Sequence, residues 1–201
     1  MRPSIPGPRA FAAYVTRIRY SVYAIASLMA FAFLLGAVVA ATMPAETAKL
    51  LELVASEFAP YQSLKSLDLM VSLFLHNAFV CLLMAALGLG LGLVPLLIAF
   101  DNGLVLGIVA GAAAGEKGLL ITLAAISPHG VIELPCMVLS AAIGLHLGYS
   151  VLQALFKRPV SLAGEVRDAG LVFLFWLLPL LLAAAFVESY VTTALVYYLL
   201  H

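Results

Sequence analysis

Charge is what this chain has least of. Asp, Glu, Lys and Arg make up 10% of its 201 residues, and the acidic and basic side chains cancel to a net charge of zero. Without a basic stripe, nucleic acid is not an expected partner. Cysteine is nearly as scarce. Cys81 and Cys136 each sit in an apolar run, too few for a zinc set and placed like small core residues, not a disulfide pair. Polar sequence is short of what a globular domain needs; its longest stretch runs over roughly 43–69. Phosphate loops, nucleophile elbows and HExxH patterns are missing. What fills the chain is apolar: 65% hydrophobic residues and a mean hydropathy of +1.15. That composition implies an all-α fold, a polytopic transmembrane helical bundle, with residues 1–201 forming a single integral membrane domain.

About five spans are predicted. The first covers about 20–42 and follows Arg2, Arg9, Arg17 and Arg19. Its apolar core of about 22 residues exceeds the 7–15 of a signal-peptide core, so it reads as a retained span. A polar segment, 44–68, comes next. Pro44 suits a first helical turn. Leu50, Leu51, Val54 and Phe58 share a face, while Glu46, Lys49, Glu52 and Glu57 lie largely elsewhere. This is an amphipathic helix for a membrane surface or a partner, with Pro60 ending or kinking it.

The second span covers about 70–99, and Asp101-Asn102-Gly103 reads as the turn after it or as a cap for the third helix. The third begins at about 103. Residues 103–114 supply only about 18 Å of helix against a hydrocarbon core of roughly 30 Å. Gly115-Glu116-Lys117-Gly118, with the charged pair expected at the outer surface, then interrupts it. Region 103–127 is either one broken span or a span followed by a re-entrant piece, with the irregularity near 115–128. Ser127 is a good N-cap and Pro128 a good first helical residue, so the fourth span, about 128–152, is expected to start within the membrane. The fifth covers about 169–189, kinked near Pro179. An apolar tail, 191–200, follows, and Tyr190, Tyr197 and Tyr198 suit an interfacial belt.

Basic residues set an orientation. The four arginines before span one, together with Lys157, Arg158 and Arg167, outweigh Lys49, Lys65 and Lys117 in the other loops. The expected topology has a cytoplasmic N-terminus, an extracytoplasmic segment 44–68 and an outer C-terminus.

Gly103, Gly107, Gly111 and Gly115 recur every four residues; Gly88/Gly92 and Gly144/Gly148 share the spacing. Small-xxx-small stripes let helix backbones approach closely in lipid. Spans two, three and four are expected to pack tightly through them, or the stripes serve self-association.

The most polar feature inside a span is Ser127-Pro128-His129-Gly130-Val131-Ile132-Glu133-Leu134-Pro135. An ionisable group in hydrocarbon costs about 2.5–3.5 kcal/mol on insertion scales, and His129 and Glu133, four apart, share a helix face. Three readings stay open. The two residues are metal ligands, with His76 or Glu188 adding a third. Or a helix N-terminus at membrane depth favours an anion and lines a substrate or proton path. Or His129, Glu133, Asn77 and Glu188 satisfy one another as a structural network. His76 is placed near the water boundary, and His146 in a bundle-facing hydrogen bond.

Pro128-His129-Gly130-x-x-Glu133-Leu134-Pro135, followed by the small-residue run Ser140-Ala141-Ala142-Ile143-Gly144-Leu145-His146-Leu147-Gly148, resembles the stage II sporulation protein M family. The family pattern also has an asparagine early in the second span, an Asn-Gly opening the third and an Ala-Ala-x-x-Glu near the end of the last. Here Asn77, Asn102-Gly103 and Ala184-Ala185-Phe186-Val187-Glu188 match these. The resemblance covers about 70–190; after Glu188 the chain departs from it, with no proline following its threonines. It implies a membrane protein whose polar motif comprises Asn77, Pro128, His129, Gly130, Glu133 and Glu188. In spore formers the family's namesake recruits cell-wall hydrolases as a scaffold with no known chemistry of its own. Many relatives come from organisms that never sporulate, so the name sets neither process nor partners. The expectation is a scaffold or assembly component with no cofactor. Its expected partners are the lipid bilayer, other membrane or envelope proteins and further copies of itself in a homo-oligomer, with segment 44–68 as its docking surface. The alternative is a small permease or a metal-dependent hydrolase centred on His129 and Glu133.

Overall fold

The computed structural model describes residues 7–62 and 64–192, with side chains at all of these except 57–58, 60–62, 117, 119–121 and 123–129. Every regular element among the described residues is helical: α1 (Pro8–Arg17), α2 (Arg19–Thr42), α3 (Pro44–Gln62), α4 (Ser66–Leu87), α5 (Leu93–Lys117), α6 (Leu119–Leu155), α7 (Leu162–Val172) and α8 (Leu178–Phe186). Single-turn π segments follow α7, at Phe173–Leu177, and α8, at Val187–Thr192. Among the described residues, five stretches are long and apolar enough to cross a membrane: Arg19–Thr42, Ser66–Leu87, Leu93–Glu116, Gly130–Leu155 and Leu162–Thr192.

Local chemistry explains the boundaries. Pro8 opens α1 at a position where its missing N–H costs nothing. Met43, held out of the helical region by the following proline (φ −129°, ψ 67°), separates α2 from α3. Pro60 lies in the last turn of α3 and does not end it. Ser161 caps α7, its hydroxyl accepting from the Gly164 N–H at 3.3 Å.

The connection between α4 and α5 corrects the sequence reading. Span two does not run to 99. It stops at Leu87, and the chain turns over Gly88–Gly92, where Gly92 takes a left-handed φ of 77° that a side chain would disfavour. Asp101-Asn102-Gly103 is neither turn nor cap but lies inside α5. Asn102 satisfies itself there by donating from Nδ2 to the Ile98 carbonyl at 2.8 Å. The third span is therefore full length. The break expected near 115–128 narrows to Gly118 (φ 83°), whose N–H closes α5 on the Ala114 carbonyl at 3.1 Å. Ser127 is not an N-cap and Pro128 not a first helical residue, because α6 already runs from Leu119. Proline at 128 removes one donor from the helix interior without ending it, whereas glycine at positive φ does end α5.

α6 is the central helix, touching α2, α4, α5, α7 and α8. Cys136, Ala141, Ala142 and Ile143 are buried on it. The glycine stripe of α5 packs against the first span, not against spans two and four. A Cβ at Gly103 would come within 2.7 Å of the Met29 carbonyl, one at Gly107 would strike the backbone of Phe33, and one at Gly111 would press on Ala37 and Ala40. These contacts step together along both chains, so α2 and α5 run in the same direction. Gly88 and Gly144 meet between α4 and α6, and Gly148 receives the Gly92 turn. Gly115 faces open space. The five crossings alternate, so α1 and the α6–α7 connection share one end of the bundle, and α3 lies at the other.

Candidate functional site

Two polar clusters are built into the bundle. The first lies at the α1 end. Glu165 and Asp168, three apart on α7, share a helix face. The Arg17 guanidinium at the end of α1 reaches both, 3.3 Å from Glu165 Oε2 and 3.1 Å from Asp168 Oδ2. His146 Nε2 of α6 meets the same Glu165 oxygen at 3.2 Å, the bundle-facing hydrogen bond expected of it. Arg167 donates to the other Asp168 oxygen at 2.9 Å. Arg17 also lies over the Tyr14 ring, 5.0 Å from its centroid. Burial pushes the Tyr14 phenol above its ordinary pKa and keeps it neutral. Phe11 stacks on Trp176 with ring centroids 4.4 Å apart. A cleft of about 460 Å³, lined by Arg17, Ser21, His146 and Tyr149 among others, opens beside this cluster. Half-exposed ion pairs contribute about 0–1 kcal/mol each. The cluster therefore sets position more than stability, holding α1, α6 and α7 at one depth.

Sequence reasoning missed this cluster. In the sequence Arg17 and Arg167 register as topology charges, far apart in the chain, and the acidic pair beside Arg167 carries no mark of its partners on α1 and α6. Glu165 and Asp168 at helical spacing next to an arginine were the available signal.

The second cluster lies deeper, where α4 passes α6. Cys81 and Cys136 are free and buried, as small core residues would be. The buried Ser140 hydroxyl lies beside Cys81, and Glu133, half-buried, sits one helical turn before Cys136 on α6. Asn77 is half-buried on α4. Glu188 lies on the second π segment, which packs against both α4 and α6, with Ser189 buried beside it. Backbone geometry thus brings the elements carrying Asn77, Glu133 and Glu188 into mutual contact. Pro128 and His129 lie on α6 about 25 Å along the helix from His146; their side chains lie outside the described set. Gly130 is buried. His76 is not near a boundary: it lies midway along α4, on the exposed face.

The chain matches the family described as Stage II sporulation protein M over residues 25–193. It is also 34% identical, over 133 residues, to an uncharacterized protein of Methanocaldococcus jannaschii, a match covering 64% of this chain and 74% of that one. No solved structure matches it. The match spans all five helical crossings and both polar clusters but for the α1 side, and on it the chain belongs to the stage II sporulation protein M family.

Proposed function

We propose that this multi-pass membrane protein is a scaffold that recruits partner proteins, and that α3 is the surface they dock on. One observation carries the reading: α3 keeps an apolar ridge out of the bundle. Its first turns are anchored, with Thr47 buried and its hydroxyl donating to the Val39 carbonyl at 3.4 Å. Beyond that anchor, Leu53 is 63% and Leu50 39% exposed, flanked by exposed Glu46, Lys49 and Glu52. An amphipathic helix with an unfilled apolar side is how helices dock in partner grooves. The basic residues gathered at the α1 end support a cytoplasmic position for that end, which would leave α3 outside, next to envelope components.

Photo-crosslinking in cells, with the reactive group at Leu53 and, as a lipid-facing control, at Leu34 of α2, tests this. A discrete protein adduct is expected at Leu53 alone. Leu50→Glu with Leu53→Glu should weaken the captured complex by about tenfold or more, since truncating one interface anchor costs roughly 1–2 kcal/mol. Adducts to lipid only, at both positions, would remove the docking surface. Glu133→Gln separates the permease reading: a folded variant with partner capture intact and solute flux lost would replace the scaffold.

A further inference from the structure

Two ionisable side chains face outward from the α4–α5 hairpin at membrane depth. His76 is exposed on α4, and Asp101 is exposed on α5. Measured from the hairpin turn, His76 lies about 16 Å before Leu87 and Asp101 about 12 Å after Leu93. The α2 register confirms that depth: Gly103, two residues beyond Asp101, packs on Met29, about 15 Å along α2 from Arg19. Neither side chain has a hydrogen bond or ion pair among the described residues. Around them the surface is apolar: Leu75 and Phe79 on α4 are 59% and 63% exposed, and Leu93 and Leu97 on α5 are 60% and 69% exposed. A carboxylate and an imidazole turned to hydrocarbon without partners are costly, and such residues pair with one another or line a path.

We propose that this hairpin face is a self-association surface, covered by a second copy of this chain, in which His76 of each copy pairs with Asp101 of the other. Charge and symmetry select the occupant. A two-fold axis along the bilayer normal leaves every residue at its own depth and makes the contact reciprocal, so a residue can meet a different one only if the two lie at similar depth. His76 and Asp101 do, within about 4 Å, well inside the reach of their side chains. They are chemically complementary: the imidazole donates, the carboxylate accepts, and each closes the other's missing hydrogen bond. One hairpin thus carries both halves of the interaction and needs no foreign partner. The exposed leucines and Phe79 surround the pairs and exclude lipid from them. This surface is separate from α3, so a monomer that still captures a protein through Leu53 sinks this proposal and leaves the docking reading intact.

The test is subunit counting by single-molecule photobleaching of the full chain, labelled and reconstituted in phosphatidylcholine–phosphatidylglycerol vesicles at low protein density. Two bleaching steps are expected for the wild type. His76→Leu and Asp101→Leu should each weaken dimerisation by about tenfold, the scale of an interhelical hydrogen bond in a membrane. Leucine is what this face already presents, so neither change threatens the fold. The exchange variant H76D/D101H should recover two steps, and a mixture of H76C and D101C chains in a Cys81→Ala, Cys136→Ala background should form an intermolecular disulfide. A wild type that bleaches in one step overturns the proposal. So does a dimer that survives both leucine variants, or a mixture in which Asp101→Cys chains cross-link only to one another and never to His76→Cys chains.

Discussion

Gly107 and Gly115 are indistinguishable in the sequence, two members of one four-residue stripe, and the fold treats them oppositely. A side chain at Gly107 would enter the backbone of Phe33, whereas one at Gly115 meets nothing within 4 Å. Gly107→Val should therefore destabilise the protein by about 1–3 kcal/mol, the range for overpacking a close contact, and Gly115→Val should stay within about 0.5 kcal/mol. Denaturant titration of the purified protein in micelles, followed by its helical signal, checks both. The spacing was legible; the partner was not. Small residues state that a backbone can approach, not which one. Yet Ala32, Gly36 and Ala40 on α2 repeat the same interval, and that complementary stripe was there to be read. Asn102 misled in another way: Asp-Asn-Gly favours turns, but a side chain that bonds its own helix four residues back leaves the helix intact.

At the scale of elements, the five crossings follow from hydropathy, because in lipid an isolated segment must satisfy its own backbone. Where one helix hands over to the next is less visible. Glycine is common inside membrane helices, so Gly88–Gly92 read as span although it is the turn. α1 is hard to see in the sequence, because its arginines serve equally well as topology signals before the first span. It is docked by the Phe11–Trp176 stack and by Arg17 on Glu165 and Asp168. Trp176 is the chain's single tryptophan, so its fluorescence reports α1 directly. Phe11→Ala should shift the emission and increase quenching by aqueous iodide, with a loss of about 0.5–1.5 kcal/mol beyond area for the ring pair. Arg17→Gln should change it less, as half-exposed ion pairs contribute about 0–1 kcal/mol. Tyr14 adds a pH dependence. Its buried phenol has a raised pKa, so docking is intact below the ordinary tyrosine value of 10 and weakens as pH climbs past it. The same Trp176 signal, titrated upward, should show α1 releasing; an emission flat through that range would mean Tyr14 does not hold it.

For the molecule as a whole, the deep polar motif shows where sequence alone stops. Glu133 stood out because a carboxylate in an apolar run is expensive, but its neighbours Cys81, Cys136 and Ser140 look like ordinary core residues until α4 and α6 are laid together. Orientation is different in kind: it depends on loop charge, which the sequence carries in full. Arg9, Arg17, Arg19, Lys157, Arg158 and Arg167 gather at the end that holds α1, and the alternation of five crossings puts α3 at the other. Single cysteines at Glu52 and Arg158, in a background lacking Cys81 and Cys136, should label from opposite sides of intact cells and inverted vesicles. A membrane-impermeant maleimide should reach Glu52→Cys from outside and Arg158→Cys only from the cytoplasmic face. Both positions are exposed in the fold, so poor access cannot mimic either outcome. Labelling of both from one side would contradict an odd number of crossings between them. Reversed labelling would keep the bundle but turn α3 toward the cytoplasm, and partners outside the cell membrane could then no longer reach it.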